Sequence, residues 1–409
     1  MVQVSQPFST TIFMQVSQRS DAAAPTPLDS LKNIDWDFAT TPSPSPIHSL
    51  HPYPAKFIPE IPSALIAELS EAGETVADIF CGSGTTLVEA LRAGRRAIGI
   101  DANPLACLIA RAKTCRLASS RAALDQALER AHRLADHLEH RPMFNHKFTS
   151  DHYRPDPKVA EFWFEPFVVE EMAELRNYCI SLPEPARAVA LTAFSAIVVA
   201  VSKQDSDTRY VRRNKSIKPG DTCKKFIRVL HHAIAAHDTF DARIDADDSC
   251  TIINGNVLME PVAPAFDLLV CSPPYPNAYS YHLYHMTRLL WLQMDHGAFK
   301  KQEIGSHRKY SSRGRSAATA GTFEGEFLTI MAWITRHLKR RRYACFIVGD
   351  STIRGERISN ADIISRAGAA HGLVEVARMN RRMRDSRKAF NPAIGKIKTE
   401  DILILQNGR

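Results

Sequence analysis

Two short stretches of this chain combine residue types at spacings that can do chemistry. The first is Asp78-Ile-Phe-Cys-Gly-Ser-Gly-Thr-Thr86. Gly82 and Gly84 let a ligand approach the backbone where a strand hands over to a helix, which is where α/β sheets bind ligands. Asp101 follows Gly82 by 19 residues, at the end of the next apolar stretch. A carboxylate there can accept hydrogen bonds from ribose hydroxyls. The second stretch is Asp267-Leu-Leu-Val-Cys-Ser-Pro-Pro-Tyr275. An apolar run enters Ser272, Pro273, Pro274 and Tyr275. The prolines remove backbone donors and leave the Ser272 and Pro273 carbonyls, with the Ser272 hydroxyl, as groups free to meet a ligand. Acceptors beside an aromatic face suit an exocyclic amino group on a planar base. They hold its N–H bonds while Tyr275 stacks on the ring.

The glycine turn discriminates among nucleotide-like ligands. A phosphate loop of the form G-x-x-x-x-G-K-[ST] is absent, and Leu87 stands where a dinucleotide fingerprint has its third small residue. Asp78, two residues before Phe80, suits a cationic amino-acid tail better than a pyrophosphate. S-adenosylmethionine fits such a site.

In this order and spacing the two motifs resemble the amino-group DNA methyltransferases, which modify N4 of cytosine or N6 of adenine. A third piece agrees: His51-Pro-Tyr-Pro-Ala-Lys-Phe57 is similar to the segment that closes over the methionine part of the cofactor in that family. The resemblance covers roughly residues 50–112 and 250–295, and more loosely 343–405. It implies a Rossmann-like α/β methyltransferase fold with S-adenosyl-L-methionine as cofactor. Asp78, Phe80, Gly82, Gly84 and Thr85 would contact the cofactor, Asp101 its ribose, and Lys56 and Phe57 would close the pocket. Asn256, in Ile253-Asn-Gly-Asn-Val257, stands where the family often has an acid near the adenine ring; its amide oxygen can still accept a hydrogen bond. Ser272, Pro273, Pro274 and Tyr275 would be the catalytic loop. Ser at 272 resembles the N4-cytosine group, whereas Asp or Asn is more usual for N6-adenine. No Pro-Cys dipeptide supplies the nucleophile that methylation of carbon 5 would need, and Cys81 and Cys271 read as packing residues. Double-stranded DNA is the implied substrate, and the resemblance admits a cognate restriction endonuclease as partner. N6 of adenine, an RNA substrate, and a catalytically inactive nucleic-acid-binding relative remain the alternatives.

The elements that must position these groups are legible as strand–turn–helix–strand–helix. Thr75–Phe80 and Arg96–Asp101 read as short buried strands, with helices over Ile61–Leu69, Leu87–Ala93 and Asn103–Ala112. Cys250–Ile253, Phe266–Val270, Tyr343–Val348 and Asp401–Leu405 read as further strands of a mainly parallel sheet. Between them, Ala122–His140, Phe162–Ile180, Ala186–Val201 and Lys225–His237 read as helices, with no convincing strand. The chain therefore divides into a flexible arm over 1–45, a catalytic domain over 46–115 and 251–409, and a large helical insertion over 116–250 that could serve target recognition. Trp36 and Phe38 would anchor the arm to the body.

Composition sets the outer limits. With 409 residues, 44% of them hydrophobic and 23% charged, the chain can bury a sizeable core. The net charge is +8, yet residues 300–388 hold 20 Lys and Arg against 8 Asp and Glu. The basic excess is thus concentrated downstream of the catalytic loop. Arg308, Lys309, Arg313 and Arg315 read as DNA-binding residues on a phosphate-contacting loop, with Lys339–Arg342 and Arg378–Lys388 on the same face. Asp205–Lys215 is the rival recognition segment. The longest apolar run, Ala188–Val201, is too short to span a bilayer, and no secretory signal is visible. The eight cysteines lack zinc-site spacing, so no metal and a reducing bacterial cytoplasm are expected.

Overall fold

A computed structural model describes residues 26–39, 45–118, 120–140, 148–207, 209–241, 250–276, 280–306, 309–310, 318–383 and 399–408. Its centre is a seven-stranded sheet. In chain order the strands are β1 (Thr75–Asp78), β2 (Arg96–Asp101), β3 (Cys250–Asn254), β4 (Phe266–Cys271), β5 (Leu338–Gly349), β6 (Leu373–Arg382) and β7 (Thr399–Asn407). Their order across the sheet is 3-2-1-4-5-7-6. β1 pairs in parallel with β2 and β4, β2 with β3, and β4 with β5, while β7 runs antiparallel to both β5 and β6. The first five strands follow the Rossmann order, whose reversal between β1 and β4 opens a crevice at the carboxyl ends. The expected mainly parallel α/β sheet is present.

The helices are α1 (Pro27–Lys32), α2 (Glu60–Leu69), α3 (Thr85–Arg92), α4 (Pro104–Thr114), α5 (Arg121–His140), α6 (Pro157–Trp163) and α7 (Pro166–Ile180). They continue as α8 (Ala186–Val201), α9 (Asp221–Asp241), α10 (Tyr281–Tyr284), α11 (Met286–Trp291), α12 (His296–Gln302), α13 (Ala320–His337) and α14 (Asn360–Ala370). Side chains alternate across a strand, so each strand feeds two cores. Val76, Leu268, Val270 and Ile347 join one cluster with α2 to α5 and α7 to α9. Ala77, Leu269, Cys271 and Phe346 join the other with α13 and α14. β4 is buried along its whole length, which is why it reads as a continuous apolar run rather than an alternating one.

The helices of 116–250 are a layer on one face of this sheet. The cluster that holds Leu105 and Ile109 of α4 continues into Leu124 of α5, Phe194 of α8 and Phe226 of α9. Two expectations for this stretch are corrected. Phe162–Ile180 is two helices, because Phe164 is extended and Pro166 can only start a helix, not continue one. Secondly, the segment does contain strands. Gln204–Ser206 and Arg209–Arg212 pair as an antiparallel hairpin. Nor is the whole of 1–45 outside the body: α1 buries Leu31, and Trp36 is buried with its indole N–H donating to the Leu31 carbonyl at 3.0 Å. Phe38 packs edge-on against Trp36, as anticipated for an anchor.

Candidate active site

β1 ends at Asp78, and the chain turns through Gly82 and Gly84, both at positive φ (+48° and +82°). A Cβ on Gly84 would lie 3.1 Å from the Ala110 Cβ, so this glycine lets the start of α3 press against α4. Asp78 braces the turn from behind. Its carboxylate accepts from the Phe80 N–H at 3.0 Å and the Thr86 hydroxyl at 2.8 Å, and burial pushes its pKa up to about 7. Asp101 braces it from the next strand, accepting from Gly82 N–H and Asn103 N–H, each at 2.8 Å. Burial raises its pKa to about 6, opposed by those two hydrogen bonds. From above, the buried Lys113 amine donates to Ser83 Oγ at 3.2 Å and to the His48 carbonyl at 3.4 Å. Lys56 donates to that same carbonyl at 3.0 Å, tying the His51–Phe57 segment to the turn.

These parts open onto one cavity of about 610 Å³ at the carboxyl ends of the parallel strands. That volume is in the range of small-molecule sites. Lys56, Phe57, Phe80, Gly82, Thr85, Asp101 and Asn256 line it at one side, and Ser272, Pro273, Pro274 and Tyr275 at the other. Asp78 and Gly84 are not on its wall. Both shape the turn: Asp78's oxygens hold Phe80 and Thr86, and Gly84 faces Ala110. Asn256 caps a short helical turn by accepting from Leu258 N–H at 2.9 Å and donates to the Gln302 carbonyl at 3.0 Å.

Tyr275 is held from the far edge of the sheet. Its hydroxyl donates to Glu400 on β7 at 3.0 Å and lies 3.4 Å from the Ile347 carbonyl on β5. Ser272 also hydrogen-bonds this hydroxyl. Glu400 in turn pairs with Arg381 of β6 at 3.0 Å, with both side chains buried. Burial holds the Glu400 carboxyl above the ordinary range although Arg381 opposes this. A second support is Gly305, at φ +71°, where a Cβ would meet the Tyr275 and Pro274 carbonyl oxygens at 2.9 and 3.0 Å. Glu303 lies on the wall nearby and bonds Tyr281 N–H and His282 Nδ1. Tyr53, Tyr281 and His285 form a mutual ring cluster, with the Tyr53 centroid 6.0 and 5.0 Å from the other two, and Tyr53 accepts from Asn103 at 3.2 Å.

Sequence reading missed Glu303, Gly305, Glu400 and Asp37, and gave Phe38 and Arg381 other roles, as an anchor and within a DNA-facing run; all of them reach this cavity by tertiary contact. Tyr53 lay inside the quoted His51–Phe57 motif and was given no role of its own, whereas Tyr281 belongs to the run Tyr279–His285, for which a part in shaping the base pocket was an expectation. Of the basic residues, Lys309 is paired with Glu326, and Arg308, Arg313 and Arg315 lie outside the described residues. Lys339–Arg342 is not on the cavity's side: it begins β5 at the opposite end of the sheet, where Lys339 and Arg342 pair with Asp267 and Glu74. Among the described residues no three His, Cys, Asp or Glu side chains converge as a metal site, and no helix is long and apolar enough to cross a membrane.

Residues 14–112 match a family profile described as DNA methylase. The type II methyltransferase M.MjaII of Methanocaldococcus jannaschii is 39% identical over 20% of this chain and 16% of its own length. The type II methyltransferase M.MvaI of Kocuria varians is 29% identical over 56% of this chain and 53% of its own. The chain thus spans about half, or less, of the curated relatives it matches. Among solved structures, a TehB-like SAM-dependent methyltransferase from Corynebacterium glutamicum aligns over 85% of this chain and 86% of its own at 8% identity and a TM-score of 0.30, so the fold assignment rests on the strand order above. With its motifs gathered on one cavity and these matches beside them, the chain resembles the S-adenosylmethionine-dependent DNA amino-methyltransferases of N4/N6 type over the matched segments.

Proposed function

We propose that the chain methylates the exocyclic amino group of a base flipped out of double-stranded DNA, N4 of cytosine in particular. The observation that carries this reading is the shared cavity, which joins the glycine turn and Asp101 to the Ser272–Tyr275 loop. The residues present fit S-adenosylmethionine. Each Asp101 oxygen accepts one backbone N–H and keeps a lone pair for a ribose hydroxyl. Phe80 and Val257 offer apolar walls for an adenine ring, and Lys56 and Phe57 close the side toward the methionine part. When bound, the cofactor supplies an electrophilic methyl group on a sulfonium.

The chain's own groups do the positioning. A base inside the duplex cannot reach the loop, so the target nucleotide leaves the stack. The Pro273 carbonyl and Ser272 accept the amino N–H bonds and turn the nitrogen lone pair toward the methyl carbon. Tyr275 stacks on the ring. Rate comes from this alignment and from acceptors aimed at the positive charge that develops on nitrogen. Nitrogen would gain the methyl group as the methyl–sulfur bond breaks, and would release one proton to water, without a covalent enzyme intermediate. Serine at 272 supports cytosine as the base. A cognate restriction endonuclease sharing the target sequence is the proposed partner.

The test is incubation with methyl-labelled cofactor and duplex DNA, followed by nucleoside analysis. N4-methylcytosine is the expected product. N6-methyladenine would overturn the choice of base, and no transfer to DNA would overturn the function.

A further inference from the structure

An exposed basic element lies outside the cavity. The hairpin formed by Gln204–Ser206 and Arg209–Arg212, with its flanks, carries six basic side chains against two acidic ones between residues 203 and 218. Val211 is 54% exposed, and Arg212, Arg213 and Asn214 are exposed beside it. An apolar side chain held out in solvent among arginines does not serve the core.

The hairpin is anchored at the active site from below. Arg288 of α11 is fully buried, donates through Nε to the Ser195 carbonyl at 3.0 Å, and pairs with Asp207. Beside it, the Thr287 hydroxyl donates to Gln204 Oε1 at 3.0 Å. The second strand packs against α10, whose Tyr281 is part of the cavity wall. Thus the chain leaving the Ser272–Tyr275 loop passes directly into the residues that hold the hairpin. Asp207 is spent on Arg288, and Asp205, whose side chain is only 14% exposed, pairs with Arg209 and Arg213 at 3.3 and 3.4 Å. The Arg213 side chain is 73% exposed, so it can exchange this partner for phosphate.

We infer that this hairpin, through Arg212, Arg213 and Val211, is a DNA-contacting element that grips the duplex beside the flipped base. A two-stranded ribbon fits the major groove, and its guanidinium groups match phosphate oxygens. The inference rests on the DNA-methylating reading above and adds where the duplex lies.

The test uses the full chain and a fluorescein-labelled 40-base-pair duplex of mixed sequence, with anisotropy read from low to moderate salt. R212A/R213A should weaken binding about tenfold and flatten the slope of log K against log salt by about 1.8, since each lost phosphate contact removes about 0.9. R340A/R341A removes the same charge at the opposite end of the sheet, where both arginines are exposed, and should leave the slope unchanged. Cofactor affinity of both variants, read by calorimetry, should match the parent and certifies the fold. Equal slopes for the parent and R212A/R213A would overturn the hairpin's role alone, as would equal flattening in both variants. A parent chain that holds no duplex would overturn the DNA reading and the hairpin with it.

Discussion

The link from Tyr275 through Glu400 to Arg381 makes a quantitative demand. In Y275F the ring remains and the hydroxyl goes. A hydrogen bond to a charged acceptor contributes about 1.5–3 kcal/mol, so Y275F should lose stability on that scale. In E400A the same hydrogen bond goes and a second loss is added. Arg381, only 7% exposed, is left without the carboxylate it pairs with at 3.0 Å. Removing one partner of a buried ion pair costs about 3–5 kcal/mol. The hydroxyl–carboxylate bond can be lost only once. The double variant should therefore fall short of the sum of the two single losses by about 1.5–3 kcal/mol. The assay is urea unfolding of the four proteins followed by tryptophan fluorescence. It is run at pH 8, because burial raises the Glu400 pKa and the carboxyl must be ionised for both contacts. Losses that add within about 0.5 kcal/mol would refute the linkage.

Other outcomes follow from the same geometry. Tyr275→Ala should cut turnover by about 10- to 100-fold, the scale of one base–aromatic stack, while cofactor affinity measured by calorimetry is retained; a collapse of cofactor binding would show that Tyr275 sits elsewhere. Gly305→Ala forces a non-glycine residue to φ +71° and puts a Cβ 2.9 Å from the Tyr275 carbonyl, so it should destabilise by more than about 1 kcal/mol and slow turnover; wild-type rates would refute the contact. Asp101 has a raised pKa of about 6, so its acceptor form is lost as pH falls through that value. Cofactor affinity should drop about tenfold between pH 7.5 and 5, and a flat profile would remove Asp101 from the ribose. For stability the sign is opposite. With folded-state values of about 7 and about 6, Asp78 and Asp101 bind protons more tightly folded than unfolded. Their contribution is full below about pH 4 and is lost as pH rises toward 7, and D78N should flatten that part of the profile in unfolding titrations.

Legibility followed burial. β1, β2 and β4 could be read because they are short apolar runs covered on both faces, and their ends carry glycines, prolines and acids whose constraints are local. β6 was missed because it is an edge strand with half its residues exposed, written as Leu-Val-Glu-Val-Ala-Arg-Met-Asn-Arg-Arg, which has no clear period. The 204–212 hairpin was missed for a similar reason: its short strands are polar, and buried partners on α11 hold it. Lys339–Arg342 was assigned to the DNA side because charge in a sequence carries no direction, and only the strand's polarity shows which end of the sheet it occupies.

What the sequence determined by itself was the chemistry at fixed local spacing: a backbone-exposing glycine turn after a strand, an acid one strand on, and a proline-locked loop of acceptors ending in an aromatic ring. Those depend on φ limits, missing donors and side-chain type, which neighbours a few residues away can settle. Only the tertiary structure decided which of these groups face the cavity and what holds them there. Asp78 turned inward because its carboxylate is nearest to Phe80 N–H and the Thr86 hydroxyl. Tyr275 was pinned because β7 lies antiparallel beside β5 and delivers Glu400, 125 residues downstream, to its hydroxyl. Such contacts depend on strand order and register, which no local pattern encodes.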